Sequence, residues 1–131
     1  MKKFEFLNIV ADEQDVDVYI NGEIIANDYQ MLYDFFGVEG TSPNKFAEML
    51  QANAGKNLTV HINSIGGDVF AGMAMYNAIM DYKGNTTAVV DGICASAATL
   101  PLVACTKVKM SAASVLMIHC ASMQLAETNK I

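Results

Sequence analysis

The chain has 131 residues, of which 53% are hydrophobic and 17% charged, and its formal net charge is −6. This length predicts one domain, residues 1–131, with a variable N-terminal segment at residues 1–15. The negative charge argues against nucleic acid and against an anionic membrane surface as partners. The apolar fraction is high for a soluble monomer, so we expect the chain to associate with itself.

The ends and the cysteines exclude several other classes of protein. Two lysines near the start are followed by five acidic residues between positions 5 and 17, which leaves no apolar core for a signal peptide. No apolar run approaches the roughly 18 residues of a membrane helix. Cys94, Cys105 and Cys120 are odd in number and lack metal-ligand spacing, so they indicate free, buried thiols in a reducing compartment. We expect a cytoplasmic protein with neither metal nor cofactor.

The first half of the chain predicts a strand and a helix around an ambiguous segment. Residues 16–20 alternate like a strand, and Asn21-Gly22 predicts a turn. Residues 28–40 have helical spacing but are interrupted by two glycines. Ser42 and Pro43 then predict a helix start, with an N-cap hydroxyl and a proline at the first helical position. This helix has one apolar face, formed by Phe46, Met49 and Leu50, and Gly55 closes it.

The second half alternates strands with helices. Residues 58–62 predict a strand that is apolar on both faces apart from a histidine, and residues 86–90 predict a β-branched strand. Residues 69–80 predict a helix, and residues 96–105 a small-residue helix in which Pro101 is awkward. Short strands are predicted at 107–110 and 115–118. The helix over 69–80 is expected to pack through Phe70, Met73, Ala74 and Asn77. The order predicts an α/β fold, a mostly parallel sheet with covering helices.

Paired glycines follow the strand at 58–62. Gly66-Gly67 is most simply a tight turn. Alternatively, the loop 62–68 presents a backbone amide to a cavity, at angles that only glycine tolerates. The sequence leaves both interpretations open.

A serine among very small residues follows the strand at 86–90. Ser96 stands between Ala95 and Ala97, which would let a substrate backbone approach the hydroxyl. A helix N-cap is the commoner role for such a serine. The flanking residues are not the Gly-x-Ser-x-Gly turn of the α/β hydrolases, which excludes that family as a model.

Two histidines compete for a catalytic role. His119 follows the apolar strand at 115–118, and a lone histidine there is more often structural. His61 has no acid or nucleophile pattern around it, so we interpret it as structural. In order, however, a glycine loop, Ser96, the Ala97 amide and His119 are the parts of an acyl-transfer site.

This ordered pattern resembles a known family. Residues 60–119 resemble the proteolytic subunit of the Clp protease, a serine peptidase of the crotonase-like α/β superfold, and most closely the Clp-related head maturation (prohead) proteases of bacteriophages. The matching segments are Ile62-Asn63-Ser64-x-Gly66-Gly67-Asp68-Val69-Phe70-Ala71, Ala74-x-Tyr76-Asn77, Gly92-x-x-Ala95-Ser96-Ala97-Ala98 and Met117-Ile118-His119. The opening Tyr19-Ile20-Asn21-Gly22-Glu23-Ile24 also fits the phage branch.

The resemblance implies roles for individual residues. Ser96 is the implied nucleophile and His119 the general base, while the N–H groups of Gly67 and Ala97 form the oxyanion hole. A substrate-binding loop is implied at Gly66, Asp68 and Val69. The implied function is a serine endopeptidase that cleaves scaffold or capsid proteins during phage head assembly.

Two departures from the family pattern stand out. Ile65 occupies a position that is usually proline, which is expected to loosen the loop slightly. The third catalytic residue of the family, an aspartate, lies several tens of residues beyond the histidine, and this chain ends twelve residues after His119. Asp68 and Asp91 do not match its position. We therefore expect the C-terminal handle and the acid-bearing region to be absent, and this form to be weakly active or inactive.

Partners follow from the same resemblance. We expect a protein or peptide substrate and a homo-oligomer, since the family forms rings. An AAA+ unfoldase serves the wider family, and the phage branch is expected to act without one. Two rival hypotheses are a non-catalytic assembly or interaction protein with this fold and a crotonase-type acyl-CoA enzyme.

Overall fold

The computed structural model describes residues 14–119. Within them the chain forms seven strands, four α-helices and two 3₁₀ turns. In order these are β1 (Asp15–Asn21), β2 (Glu23–Ile24), a 3₁₀ turn (Asn27–Tyr29), α1 (Gln30–Phe36), β3 (Gly40–Thr41), α2 (Pro43–Gln51), β4 (Asn57–Ser64), α3 (Val69–Met80), β5 (Thr86–Ala95), a 3₁₀ turn (Ser96–Ala98), α4 (Thr99–Ala104), β6 (Lys107–Met110) and β7 (Val115–Met117). Most of the predicted variable segment and Cys120 lie outside the described residues.

Five strands form a parallel sheet in the order β1-β4-β5-β6, and β7 also pairs with β5. β5 is long enough for two partners, because its first half pairs with β6 and its last three residues pair with β7. β2 and β3 form a separate parallel pair. The predicted α/β fold with a parallel sheet is confirmed, and parallel strands need crossover segments such as α3 and α4 to join them.

One face of the sheet forms the core. Alternate side chains of β1, β4 and β5 are buried there, namely Val18, Ile20, Leu58, Val60, Ile62, Ala88 and Val90. They form one cluster with buried residues of α2, α3 and α4. The opposite face of β4 carries the half-buried Thr59 and His61, so this strand is less apolar on that side than expected.

The ambiguous segment after the first turn forms a short helix. α1 ends at Gly37, whose φ of +69° is the left-handed conformation typical of a helix C-terminus. The helix buries none of its own residues, and Met31 and Phe35 are 81% and 79% exposed. Its apolar spacing therefore does not mark a buried face.

The predicted start of α2 is confirmed. The hydroxyl of Ser42 accepts a hydrogen bond from the backbone N–H of Lys45 at 3.3 Å, and Pro43 is the first helical residue. Phe46 and Leu50 are buried. Pro101 is the third residue of α4, where its missing N–H costs nothing because the first four N–H groups of a helix have no partner within it.

The bounds predicted for α3 are confirmed, but its predicted packing face is wrong. Phe70 and Met73 are exposed, as are Ala74 and Asn77. The buried residues are instead Ala71, Gly72, Met75 and Ile79. A Cβ on Gly72 would lie 2.9 Å from the carbonyl oxygen of Ala97, so small residues face inward because α3 approaches the segment after Ser96 closely.

Candidate active site

The glycine loop after β4 lies directly against the turn that carries Ser96. Gly66 has a φ of +100°, and a Cβ there would lie 2.7 to 2.9 Å from Ala95 O, Ser96 Cβ and Ala97 N. Ser64, which is buried, accepts a hydrogen bond from the Gly66 N–H through its hydroxyl at 3.0 Å. Gly66 is thus required both by its backbone angles and by this close approach.

The second glycine is held by β2. The N–H of Ile24 donates to Gly66 O at 2.8 Å, and the N–H of Asp68 donates to Ile24 O at 2.9 Å. These are the two hydrogen bonds of a parallel bridge, and they flank Gly67, whose own N–H therefore points away from β2. Across residues 14–119, neither Gly67 nor Ala97 donates its N–H in any loop, turn or side-chain hydrogen bond.

Ser96 occupies a strained backbone conformation. Its φ of +58° is the only positive φ of a non-glycine residue among those described. Such a conformation costs of the order of 1–3 kcal/mol and is found most often at functional sites. The Ser96 hydroxyl caps neither the 3₁₀ turn nor α4, so the helix-cap interpretation is wrong. Nothing in the local sequence predicted the strain.

A bulge in β5 shapes the approach to Ser96. Between the pairs Ile62–Val90 and Ser64–Cys94, β5 uses two more residues than β4. The side-chain oxygen of Asn63 fills this interruption by accepting a hydrogen bond from the Ile93 N–H at 3.1 Å. Asn63 and Ser64 are separated from the paired glycines by one residue and lie within the segment that resembles the family, and neither signal revealed their supporting roles.

The sheet register brings His119 to the same edge as Ser96. β7 pairs with the end of β5 through Ala95 and Met117, so both strands end together. Ser96 and His119 both line a cavity of about 270 Å³. Its other walls are apolar or small, and they come from Val69, Met73, Ala97, Thr99 and Leu100. His119 itself is exposed.

The other residues of the expected substrate-binding loop lie beside this cavity. Val69 contributes to its wall. Asp68 caps α3, because its carboxylate accepts a hydrogen bond from the Ala71 N–H at 2.9 Å. Asp68 therefore has a structural role at the point where the loop becomes a helix.

The described cysteines are poor nucleophiles. Cys94 and Cys105 are free and buried, and burial raises the pKa of each thiol to about 11. The burial and the raised pKa of Cys94 agree with the expectation that this thiol is unreactive. Among residues 14–119, no group of three or more His, Cys, Asp or Glu side chains could hold a metal ion. No helix in the same range is long and apolar enough to cross a membrane.

His61 has acidic partners that the sequence did not reveal. Its Nδ1 lies 3.0 Å from Asp91 and its Nε2 lies 3.1 Å from Asp17, while its ring stacks on Tyr19 at 4.8 Å. These contacts join three neighbouring strands. The expectation that no acid surrounds His61 is wrong, although its contacts agree with the expected structural role.

Three comparisons with known proteins all point to the same family. A family model described as Clp protease matches residues 41–130. The ATP-dependent Clp protease proteolytic subunits of two Bacteroides fragilis strains are 39% identical over 67 residues, which is 50% of this chain and 32% or 30% of theirs. Two structures of ClpP1 from Listeria monocytogenes, one of them a mutant, match with a TM-score of 0.55 and 25% identity.

These matches also bound what can be transferred. The two structural matches cover 76% of this chain but only 51% of the Listeria chains. The chain spans about a third of the length of the curated relatives that it matches. The family model covers about two thirds of the 131 residues, including the positions of Ser96 and His119. The chain belongs to the Clp protease family, whose members are serine peptidases of the ClpP type.

Proposed function

We propose that the chain is a serine endopeptidase in which Ser96 is the nucleophile and His119 the general base. The observation that supports this proposal most strongly is that Ser96 and His119 line the same cavity. Ser96 has a strained backbone conformation, and its hydroxyl does not cap a helix. Family membership favours this peptidase chemistry over the acyl-CoA hypothesis.

In the proposed reaction, His119 takes the proton of the Ser96 hydroxyl as Oγ attacks the carbonyl carbon of the scissile bond. The N–H groups of Gly67 and Ala97 stabilise the oxyanion that forms. His119 then gives its proton to the leaving amine as the carbon–nitrogen bond breaks. Water, deprotonated by His119, hydrolyses the acyl ester and frees Ser96.

The cavity beside Ser96 suggests which peptides would bind. Val69, Met73 and Leu100 form apolar walls of this cavity, which has a volume of about 270 Å³. We propose that an apolar residue occupies it next to the scissile bond. Fluorogenic peptides that differ only at this residue test the function. Leucine or methionine peptides should be cleaved faster than aspartate or lysine peptides, and Ser96→Ala should abolish cleavage while Cys94→Ala should not.

We further propose that the natural substrates are scaffold or capsid proteins of a bacteriophage. Support comes from the similarity of the glycine loop, the serine segment and the opening strand to the phage branch of the family. Co-expression with the capsid and scaffold proteins of the same genome provides the test. Cleavage should require Ser96; unchanged masses of both proteins would contradict this assignment.

The chain is also proposed to self-associate. Exposed apolar side chains on α3, with Phe70 at 67% and Met80 at 57%, form a surface that a monomer would leave in water. Light scattering at tens of micromolar should give a mass above that of one chain, and Phe70→Ser should lower it. A monomer at that concentration would contradict the proposal and would also weaken the alternative of a non-catalytic assembly protein.

A further inference from the structure

A second cavity adjoins the glycine loop on the side away from Ser96. It has a volume of about 360 Å³ and lies between β2 and α1. Asp68 lines this cavity, and the next residue, Val69, lines the cavity of Ser96. The two cavities are therefore lined by consecutive residues, whose Cα atoms are about 3.8 Å apart, and this places the second cavity within reach of a peptide held at Ser96.

Two carboxylates belong to the second cavity, and among residues 14–119 its lining contains no lysine, arginine or histidine. The Tyr33 hydroxyl donates a hydrogen bond to Glu23 Oε1 at 2.7 Å. Asp68 Oδ1 accepts from the Ala71 N–H. Each of these bonds uses one carboxylate oxygen and leaves the other to accept from a further donor.

Glu23 is fixed close to the proposed oxyanion amide. It is paired in β2 with Gly40 of β3, and a Cβ on Gly67 would lie 3.0 Å from Glu23 Cγ. The hydrogen bond from Tyr33 to Glu23 orients the carboxylate and raises the pKa of the Tyr33 phenol. The Tyr33 phenol is protonated at neutral pH, as any tyrosine is, and its hydrogen bond keeps the Glu23 side chain in place.

The remaining walls suit a long, partly apolar side chain. Tyr29 and Leu32, together with Ile25, provide apolar surface for an aliphatic stem, and the tyrosine rings can lie against a cationic group. An acidic side chain would meet like charge from Glu23 and Asp68. The combination of apolar walls, two carboxylates and proximity to the loop is complementary to lysine and arginine.

We propose that this cavity is a specificity subsite that binds a lysine or arginine side chain of the peptide substrate, near an apolar residue at the cleavage point. The proposal rests on the proposed peptidase function, because it assumes that the peptide is held at Ser96. It makes Glu23 a specificity-determining residue.

Peptidyl phosphonates test the subsite, because the serine Oγ attacks their phosphorus atom, displaces the leaving group and becomes phosphonylated. Each carries the same apolar residue at the reactive end and, at successive neighbouring positions, lysine, norleucine or glutamate. Rates of modification of Ser96 are divided by the rate for a small fluorophosphonate without a peptide. At one position lysine should exceed norleucine by about threefold or more, and glutamate should be the slowest, as expected for a partly exposed ion pair.

Two variants with the same change of charge complete the design. Glu23→Gln should remove most of the lysine advantage, whereas Glu48→Gln, on the exposed surface of α2, should retain it. Equal rates for lysine and norleucine at every position, or an advantage that survives Glu23→Gln, would overturn the subsite.

Fluorescence anisotropy separates this outcome from failure of the proposed function. The same lysine and norleucine peptides, without the phosphonate, are bound to Ser96→Ala. Tighter binding of the lysine peptide supports the subsite even if the small probe never modifies Ser96, a result that would refute the peptidase function alone. Equal affinities count against the subsite even if Ser96 is readily modified.

Discussion

Ser64 provides the sharpest test of how the glycine loop is held. Its side chain is 2% exposed, and its hydroxyl accepts a hydrogen bond from the N–H of Gly66, which is also buried. Ser64→Ala removes the acceptor and leaves a buried donor unsatisfied. This costs about 1–3 kcal/mol of folding free energy. The loop also carries Gly67, whose N–H is proposed to stabilise the negative oxygen that forms when Ser96 is phosphonylated, so this modification should slow by up to about 10²-fold, the scale of losing one oxyanion donor.

The assay combines urea unfolding with the rate of modification by a fluorophosphonate. Ser114→Ala is the matched control, because the Ser114 hydroxyl donates a local hydrogen bond to Ser111 O at an exposed position. The control should change the free energy of unfolding by no more than about 0.5 kcal/mol and should not change the rate. If Ser64→Ala matches Ser114→Ala in both measurements, Ser64 does not hold the loop.

Two further predictions concern the loop and the thiols. Gly66→Ala should lower the rate of Ser96 modification more than Ser64→Ala does. The added methyl would overlap Ala95 O, Ser96 Cβ and Ala97 N, and the φ of +100° disfavours alanine. A wild-type rate in Gly66→Ala would show that the close approach is not needed. Cys94 and Cys105 should resist iodoacetamide at pH 8 in the folded chain, because a pKa of about 11 leaves roughly one thiol in a thousand ionised. The alkylation of both thiols should accelerate in urea. In the folded chain it should accelerate as the pH rises towards 11. Rapid alkylation of Cys94 at pH 8 without urea would contradict its burial.

The elements of the fold were largely predictable, but the inward face of α3 was not. The bounds Val69–Met80 match the prediction, and the strands alternate with helices as a parallel sheet requires. Apolar residues occur on every side of α3, so their spacing does not select a face. Close packing against Ala97 decides the matter in favour of Ala71 and Gly72 over the larger Phe70.

The contacts that the sequence did not reveal come from long-range pairing. Asp17 and Asp91 reach His61 from strands 44 and 30 residues away in the chain, a relation that depends on the sheet register. Ser96, with its positive φ, comes two residues after β5 resumes pairing beyond its bulge, and it lies against the glycine loop. The second cavity is lined partly by α1, a segment that the sequence left ambiguous, and the hydrogen bond from Tyr33 to Glu23 was not predicted.

The central claim is that Ser96, activated by His119, is the nucleophile. Mass-spectrometric mapping after treatment with a fluorophosphonate tests it most directly, on wild type, Ser96→Ala, Cys94→Ala and His119→Gln. We expect a single modification at Ser96 that is absent in Ser96→Ala, retained in Cys94→Ala and at least about tenfold slower in His119→Gln. Modification of another residue at the wild-type rate in Ser96→Ala would contradict the claim.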